Sequence, residues 1–298
     1  MNRAARPSRA AEEGGAGPRP CGLSFPRASF DYTGSEGENE QAKGGAAVIH
    51  VRSTPNDAGV EVLGDYLDVD GLYESLHIVG GDEGEFGGGH YENSRLRVLG
   101  VCYDLRHALM ADREVEFVEN GLDAEKIKRL SVIAQEKNLY YKIQVFWPEV
   151  LFVVMALNDF LWLYAKKQSK TKFISLIDWR SMWDPAIAQV RMFQSAVAKC
   201  LKETVSEAAF PRVMKQINKE YPWMDGYITQ YVDLLNIRFL EMGKDRRRKS
   251  ISIMAKRLAE MNEEYRALER DVTAAAHRHN CPVEDIDIGL DYPEDVEW

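Results

Sequence analysis

The chain has 298 residues, a formal net charge of −9 and 45% hydrophobic residues, which is the composition of an ordinary globular protein. This composition excludes collagen-like, low-complexity and wholly disordered proteins, and the length is typical of one or two domains. Four cysteines lie far apart without a CxxC pair, so zinc-ribbon and thioredoxin sites are excluded. We therefore expect free thiols in the reducing cytoplasm, no metal site and no cofactor.

The acidic residues are concentrated at one end of the chain. Residues 282–298 carry seven acidic side chains and no basic one, so the rest of the chain is nearly neutral. Nucleic-acid binding needs a basic surface, and this distribution argues against it. The one basic run, 244–249, is interpreted as a solvated connector at a helix turn, and contact with an acidic partner or with the acidic tail is the alternative.

The first 45 residues differ from the rest in composition. They are rich in Ala, Arg, Gly, Pro and Ser and contain few large aliphatic side chains. Such a segment cannot bury enough apolar surface to offset the entropy lost on ordering. We therefore expect residues 1–45 to be a disordered leader, and they lack the apolar run of a secretory signal.

Residues 46–168 combine strand and helix patterns and predict an α+β domain. Four segments have the β-branched or alternating composition of strands: 47–52, 60–63, 114–118 and 139–147. The first two predict a hairpin, since a Pro-Asn-Asp-Ala-Gly turn separates them. Asp68 or Asp70 is expected to begin one helix, and Ser94 is expected to cap a second helix over 95–110.

The segment 148–165 is the most apolar part of the chain. It is barely long enough to span a membrane, and Glu149, Asn158 and Asp159 interrupt it. An acidic residue near the middle of a bilayer costs about 2.5 to 3.5 kcal/mol. We therefore expect the central helix of a soluble fold, apolar on all sides, and no membrane partner.

Residues 184–281 have helical patterns and predict a bundle packed on the first domain. Asp184 is a good N-cap and Pro185 suits the first helical position. The last predicted helix carries apolar residues that alternate three and four apart: Ile251, Met254, Leu258, Met261, Tyr265, Leu268, Val272 and Ala275. This spacing indicates a heptad seam.

The seam over 251–275 allows two interpretations. It can form an antiparallel hairpin with residues 223–242 of the same chain, or it can bind a protein partner as a coiled coil, in the simplest case as a homodimer. In a parallel dimer Glu264 would face Glu269 of a second copy, and these like charges repel. The hairpin is therefore favoured.

Five polar residues are candidate catalytic groups. Asp104 and His107 lie one turn apart on a predicted helix, where a carboxylate can orient an imidazole as a general base; a solvated helix face has the same pattern, and Arg106 lies beside them. Glu149 lies in a first helical turn, where the macrodipole favours an acid. Asp159 needs a partner if it is buried, and Arg106 or His107 would provide one.

Several motifs are shared with a known family: Thr54-Pro55-Asn56 through Gly64-Asp65-Tyr66, Leu99 through Ala108 with Asp112-Arg113, Phe146 through Leu151, and Leu157 through Phe160. With these motifs the chain resembles, over residues 47–280, an uncharacterised and mainly bacterial protein family of unknown function. The resemblance implies a cytoplasmic setting and supplies no activity, cofactor or catalytic residue.

Together these patterns predict an α+β protein, with a small and mainly antiparallel sheet with packed helices, followed by an α-helical bundle. The favoured function is that of a soluble interaction or regulatory protein. The alternative is an enzyme of unassigned type, in the first place a hydrolase, that uses Asp104, His107, Glu149 and Asp159. Convergence of these side chains on one concave pocket would favour the enzyme, whereas separate pairing would favour the interaction protein.

Overall fold

A computed structural model describes residues 49–87, 89–131, 133–169, 175–219 and 223–298. The leader expected over residues 1–45 lies outside these ranges. The architecture is α+β, as the sequence predicts: the described residues form one four-stranded antiparallel sheet and ten α-helices.

The sheet has the order β1-β2-β4-β3, and every neighbouring pair is antiparallel. Its strands are β1 His50–Ser53, β2 Gly59–Gly64, β3 Val115–Glu119 and β4 Lys137–Phe146. All four predicted strands are confirmed, with bounds that differ by a few residues. Gly59 lies so close to β4 that a Cβ atom there would come within 2.1 Å of the Val145 carbonyl oxygen, so no other residue fits without moving this backbone.

The helices are α1 Tyr66–Gly80, α2 Glu92–Leu109, α3 Ala124–Leu130, α4 Trp147–Gln168, α5 Trp179–Met182, α6 Pro185–Thr204, α7 Phe210–Ile217, α8 Gln230–Leu240, α9 Lys244–Ala259 and α10 Glu263–His279. Asp184 caps α6 as predicted, since its carboxylate accepts the amide hydrogens of Ala186 and Ile187.

Two predicted helix starts are wrong. Helix α1 begins after Asp65 rather than at Asp68 or Asp70, because Asp65 and Asp68 form a capping box, in which each carboxylate accepts the other residue's backbone N–H. Helix α2 begins at Glu92, so Ser94 lies inside it. There the Ser94 hydroxyl donates to the Met224 carbonyl oxygen at 2.7 Å and ties α2 to the helical region.

Helix α4 is the centre of the molecule. It packs against the sheet and also against α1, α2, α8 and α9. Among the described helices it alone has the length and hydropathy of a membrane span, and 67% of its apolar window is buried inside the chain. Most of its apolar surface is thus covered by the protein's own helices and strands, while Trp162 is exposed.

The heptad seam does not lie on one helix, so the prediction of a single helix over 251–275 is wrong. The chain leaves the helical conformation at Glu260, and the Asn262 side chain caps α10 by accepting the Tyr265 N–H at 2.9 Å. In α9 the seam residues Ile251, Met254 and Leu258 are buried within the chain. The homodimer through this segment stays a prediction.

The basic run 244–249 is also placed differently from its prediction as a connector. It forms the first turns of α9, directly after Gly243. Arg247 within it is buried and donates to the carbonyl oxygens of Leu240 at 2.7 Å and Glu297 at 3.1 Å. The run thereby joins α8 to the acidic tail.

The acidic tail, residues 282–298, lies along the body of the protein. All seven acidic side chains are exposed. Its apolar side chains are half-buried: Val283, Ile286, Ile288, Tyr292, Val296 and Trp298. The Trp298 ring stacks on Phe146 with 4.7 Å between the ring centroids, and the Asn56 N–H donates to the Trp298 carbonyl oxygen at 2.9 Å.

Candidate functional site

The candidate residues of α2 do not form a catalytic pair. Asp104 accepts a hydrogen bond from Arg113 at 2.7 Å, whereas His107 Nδ1 lies 3.1 Å from an oxygen of Asp112. Arg106 is exposed, and no described residue bonds to its side chain. Burial raises the pKa of Asp104, and the bond from Arg113 opposes this shift. This end of α2 therefore carries two separate contacts, an ion pair between Asp104 and Arg113 and a hydrogen-bonded pair of His107 and Asp112.

Glu149 lies in the first turn of α4, as the sequence predicts, but its partners come from distant elements. Its Oε2 atom accepts hydrogen bonds from Arg97 of α2 at 3.3 Å and from Asn236 of α8 at 2.9 Å. Arg97 also bonds to Asp233, and the Tyr292 hydroxyl donates to Asp233 at 2.8 Å. We call these five residues the Arg97 cluster.

The Arg97 cluster is a closed ion network. Only 11% of the Arg97 side chain and 15% of the Glu149 side chain are exposed. Burial raises the pKa of Glu149, and the Arg97 guanidinium opposes this shift. Burial also disfavours the charged form of Arg97, but the carboxylates of Glu149 and Asp233 outweigh it and raise the pKa of Arg97. The charged groups of the cluster are paired with one another, which is typical of a structural network, although the buried Oδ1 atom of Asn236 has no hydrogen-bond partner among the described residues.

Asp159 is half-buried on α4 and has no hydrogen bond or ion pair within the described residues. The predicted pairing with Arg106 or His107 is wrong, because Arg106 points to solvent and His107 is bonded elsewhere. Burial, and to a smaller extent the nearby carboxylate of Asp225, raises the pKa of Asp159 to about 7.

We expect Asp159→Asn to stabilise the protein at alkaline pH and to leave it unchanged in acid. The folded state holds the Asp159 proton more tightly than the unfolded state, so the stability contributed by this proton is fully present below the unfolded pKa of 3.8 and is lost as the pH rises to the folded pKa of about 7. With allowance for partial exposure, the variant should gain about 1 to 2 kcal/mol at pH 8 and nothing at pH 3. Urea denaturation at both pH values measures this, with exposed Asp295→Asn as the control. A gain that does not depend on pH would contradict it.

The sheet contains a surface that the sequence analysis did not single out. On its core face Val62 and Ile143 are buried beneath the helices. The same face continues along β3 and β4 through Val115, Phe117 and Leu139, since these positions are paired in register and alternate residues share a face. All three are exposed, and the Phe117 side chain is 67% exposed. The apolar face of the sheet thus extends beyond the helices that cover it.

The described residues contain no group of three or more His, Cys, Asp or Glu side chains placed to hold a metal ion. The four acids and bases proposed for an enzyme lie in three separate environments: the exposed end of α2, the Arg97 cluster and the surroundings of Asp159. This arrangement does not bring them around one concave pocket.

Comparison with known proteins identifies one family. A family model described as a domain of unknown function, DUF6904, matches residues 49–298. No curated protein and no solved structure matches the chain. The matched residues include the whole sheet, all ten described helices and the acidic tail. Since the match covers well over half of its length, the chain belongs to this family of domains of unknown function.

Proposed function

We propose that the chain is a soluble, cytoplasmic interaction protein that binds a partner protein at the uncovered end of its sheet. The observation that carries this proposal is the apolar core face that continues past the helices through Val115, Phe117 and Leu139. Contiguous exposed apolar side chains are typical of protein interaction sites. Tyr66 at the start of α1 is also exposed and lies against Tyr141 of β4, which enlarges the same surface.

The edge strand next to this surface indicates how a partner protein would bind. Strand β3 is the last strand on its side, so its outer backbone N–H and C=O groups can pair with an added strand. The partner then contributes an extended segment whose alternate apolar side chains cover Phe117 and its neighbours. On β3 itself Glu116 is already paired with Arg52 and Glu119 with Lys137, so backbone pairing and apolar contact carry the binding.

The cysteines support a reducing compartment. Cys102 and Cys200 are buried free thiols, and burial raises the pKa of each to about 12. Thiols of this kind are typical of proteins in which cysteine serves as a small apolar residue. The alternative function, an enzyme, would need its candidate acids and bases in one pocket, and their location in three separate environments favours binding over catalysis.

Site-specific photo-crosslinking in cells that produce the chain tests this proposal. A photoreactive amino acid replaces Phe117 in one variant and Trp179 in the control, because Trp179 on α5 is 69% exposed and so matches Phe117 in accessibility. We expect one protein to be crosslinked from position 117 and not from position 179. With the purified pair, Phe117→Ser should weaken binding at least about tenfold, and Trp179→Ser should leave it unchanged.

Two results would contradict the proposal. Equal crosslinking from both positions would indicate non-specific contact. A crosslink to a second copy, together with a dimer that Phe117→Ser dissociates in sedimentation experiments, would make this surface a homodimer interface instead.

A further inference from the structure

A groove of about 220 Å³ lies between α4, α6 and α7. Its walls are apolar and include Val154 of α4, Val197 and Leu201 of α6, and Met214 and Ile217 of α7. The groove is smaller than the pockets of about 300 to 1,000 Å³ that hold drug-sized ligands. It therefore suits a small molecule with an apolar body.

Polar side chains are held in place on one side of this groove. Gln194 donates to the Val154 carbonyl oxygen at 2.9 Å and to Asn158 at 3.1 Å, and Asn158 donates to the Ile217 carbonyl oxygen at 3.1 Å. Both side-chain amides are thus fixed by backbone groups of the groove walls. Their oxygens in turn accept hydrogen bonds from Arg191, each at 2.9 Å.

Arg191 is a cation without a counter-ion. Both of its side-chain hydrogen bonds use Nη1 and go to neutral amides, and no carboxylate of a described residue lies within ion-pair distance of it. Arg97, Arg113 and Arg238 are each paired with an acid, whereas Arg191, like Arg106, is not paired with an acid of the described residues. The Arg191 side chain is exposed beside the groove; its partial burial lowers its pKa, and no neighbouring acid opposes this shift.

The surrounding sequence strengthens the positive charge. Residues 185–219 contain six basic and two acidic side chains, in a chain whose net charge is −9. A planar guanidinium with free N–H groups matches the two oxygens of a carboxylate in charge and geometry. An apolar groove next to it matches an aliphatic body attached to that carboxylate.

We propose that this groove binds a small aliphatic carboxylate, whose carboxylate group bonds to Arg191 and whose apolar body lies between Val197, Leu201 and Met214. Asn158 and Gln194 act as positioning residues, because they hold the guanidinium at the groove. This site is separate from the proposed partner surface on the sheet, and either can be present without the other.

Titration with hexanoate, followed by amide NMR signals, tests the inference on the full chain. Hexanol is the uncharged control ligand. Arg191→Met removes the charge and keeps much of the apolar stem. Lys199→Met is the matched control variant, because Lys199 is an exposed base of the same helix and does not line the groove.

We expect hexanoate to shift signals of α6 and α7 and to bind at least about tenfold more tightly than hexanol. Arg191→Met should reduce hexanoate binding to the hexanol level, whereas Lys199→Met should leave it unchanged. Ala198→Phe, which fills the groove, should weaken both ligands, and thermal melting confirms that each variant is folded. Equal binding of the two ligands, shifts outside the groove, equal losses in both Met variants, or competition by inorganic phosphate as strong as that by hexanoate would each overturn the proposal.

Discussion

Replacing Arg97 by Met is expected to lower the free energy of unfolding by about 3 to 5 kcal/mol at pH 7. Arg97 is the cation between the buried carboxylate of Glu149 and that of Asp233. The substitution keeps most of the side-chain volume but leaves both carboxylates without a positive partner. Urea denaturation measures the loss.

The pH dependence of this loss of stability shows whether it comes from the unpaired carboxylates or from altered packing around the Met side chain. Burial already raises the pKa of Glu149 in the presence of Arg97, and removal of the cation raises it further. The carboxylates of the variant therefore protonate more readily, and the loss should shrink as the pH falls from 7 to 5.

Glu149→Gln is the matched control for Arg97→Met. It should cost only about 1 kcal/mol, because Arg97 keeps Asp233 as its partner and the Gln side chain can still accept the hydrogen bond from Asn236. A loss below 1 kcal/mol for Arg97→Met, or equal losses in both variants, would contradict the interpretation of the cluster as a structural network.

Deleting residues 287–298 is expected to destabilise the protein by about 3 kcal/mol. The deletion uncovers Phe146, whose ring stacks with the rings of Tyr292 and Trp298. It also removes the hydrogen bond from the Tyr292 hydroxyl to Asp233 and the carbonyl oxygen of Glu297 that Arg247 uses. Thermal and urea denaturation of the shortened chain measure the effect.

The control for this deletion keeps the aromatic rings and removes charge. The triple variant Asp291→Asn, Glu294→Gln and Asp295→Asn changes only exposed side chains, so its stability should stay within about 0.5 kcal/mol of the parent. Loss of stability in the triple variant, or none in the deletion, would show that charge rather than aromatic packing fixes the tail.

Sequence patterns that depend on near neighbours were sufficient for much of the fold. The strands follow from alternation over a few residues, and the start of α6 follows from Asp184 and Pro185, because both signals act within one turn of the chain. The heptad seam predicted one helix where there are two, because a repeat over 25 residues does not register a break within one turn. The apolar period continues across residues 260–262, but the Asn262 cap followed by Glu263 and Glu264 carries a local start signal that could have been recognised.

The site could not be predicted in the same way, because its contacts join distant parts of the chain. Arg97 lies 52 residues from Glu149 and 136 from Asp233. Composition shows the acidic character of the tail, but it does not show that Tyr292 and Trp298 anchor the tail on Phe146. Arg191 was missed because its significance lies in the lack of an acidic neighbour, which only packing reveals.

The central position of α4 determines how the protein unfolds. One face of this helix completes the core beneath the sheet, and other faces complete the core of the helical region. Neither region can close its apolar interior without α4, and α4 alone exposes too much apolar surface to persist in water. Heat or denaturant should therefore melt both regions in one cooperative transition, and a fragment that contains only the sheet or only the later helices should not keep a native fold.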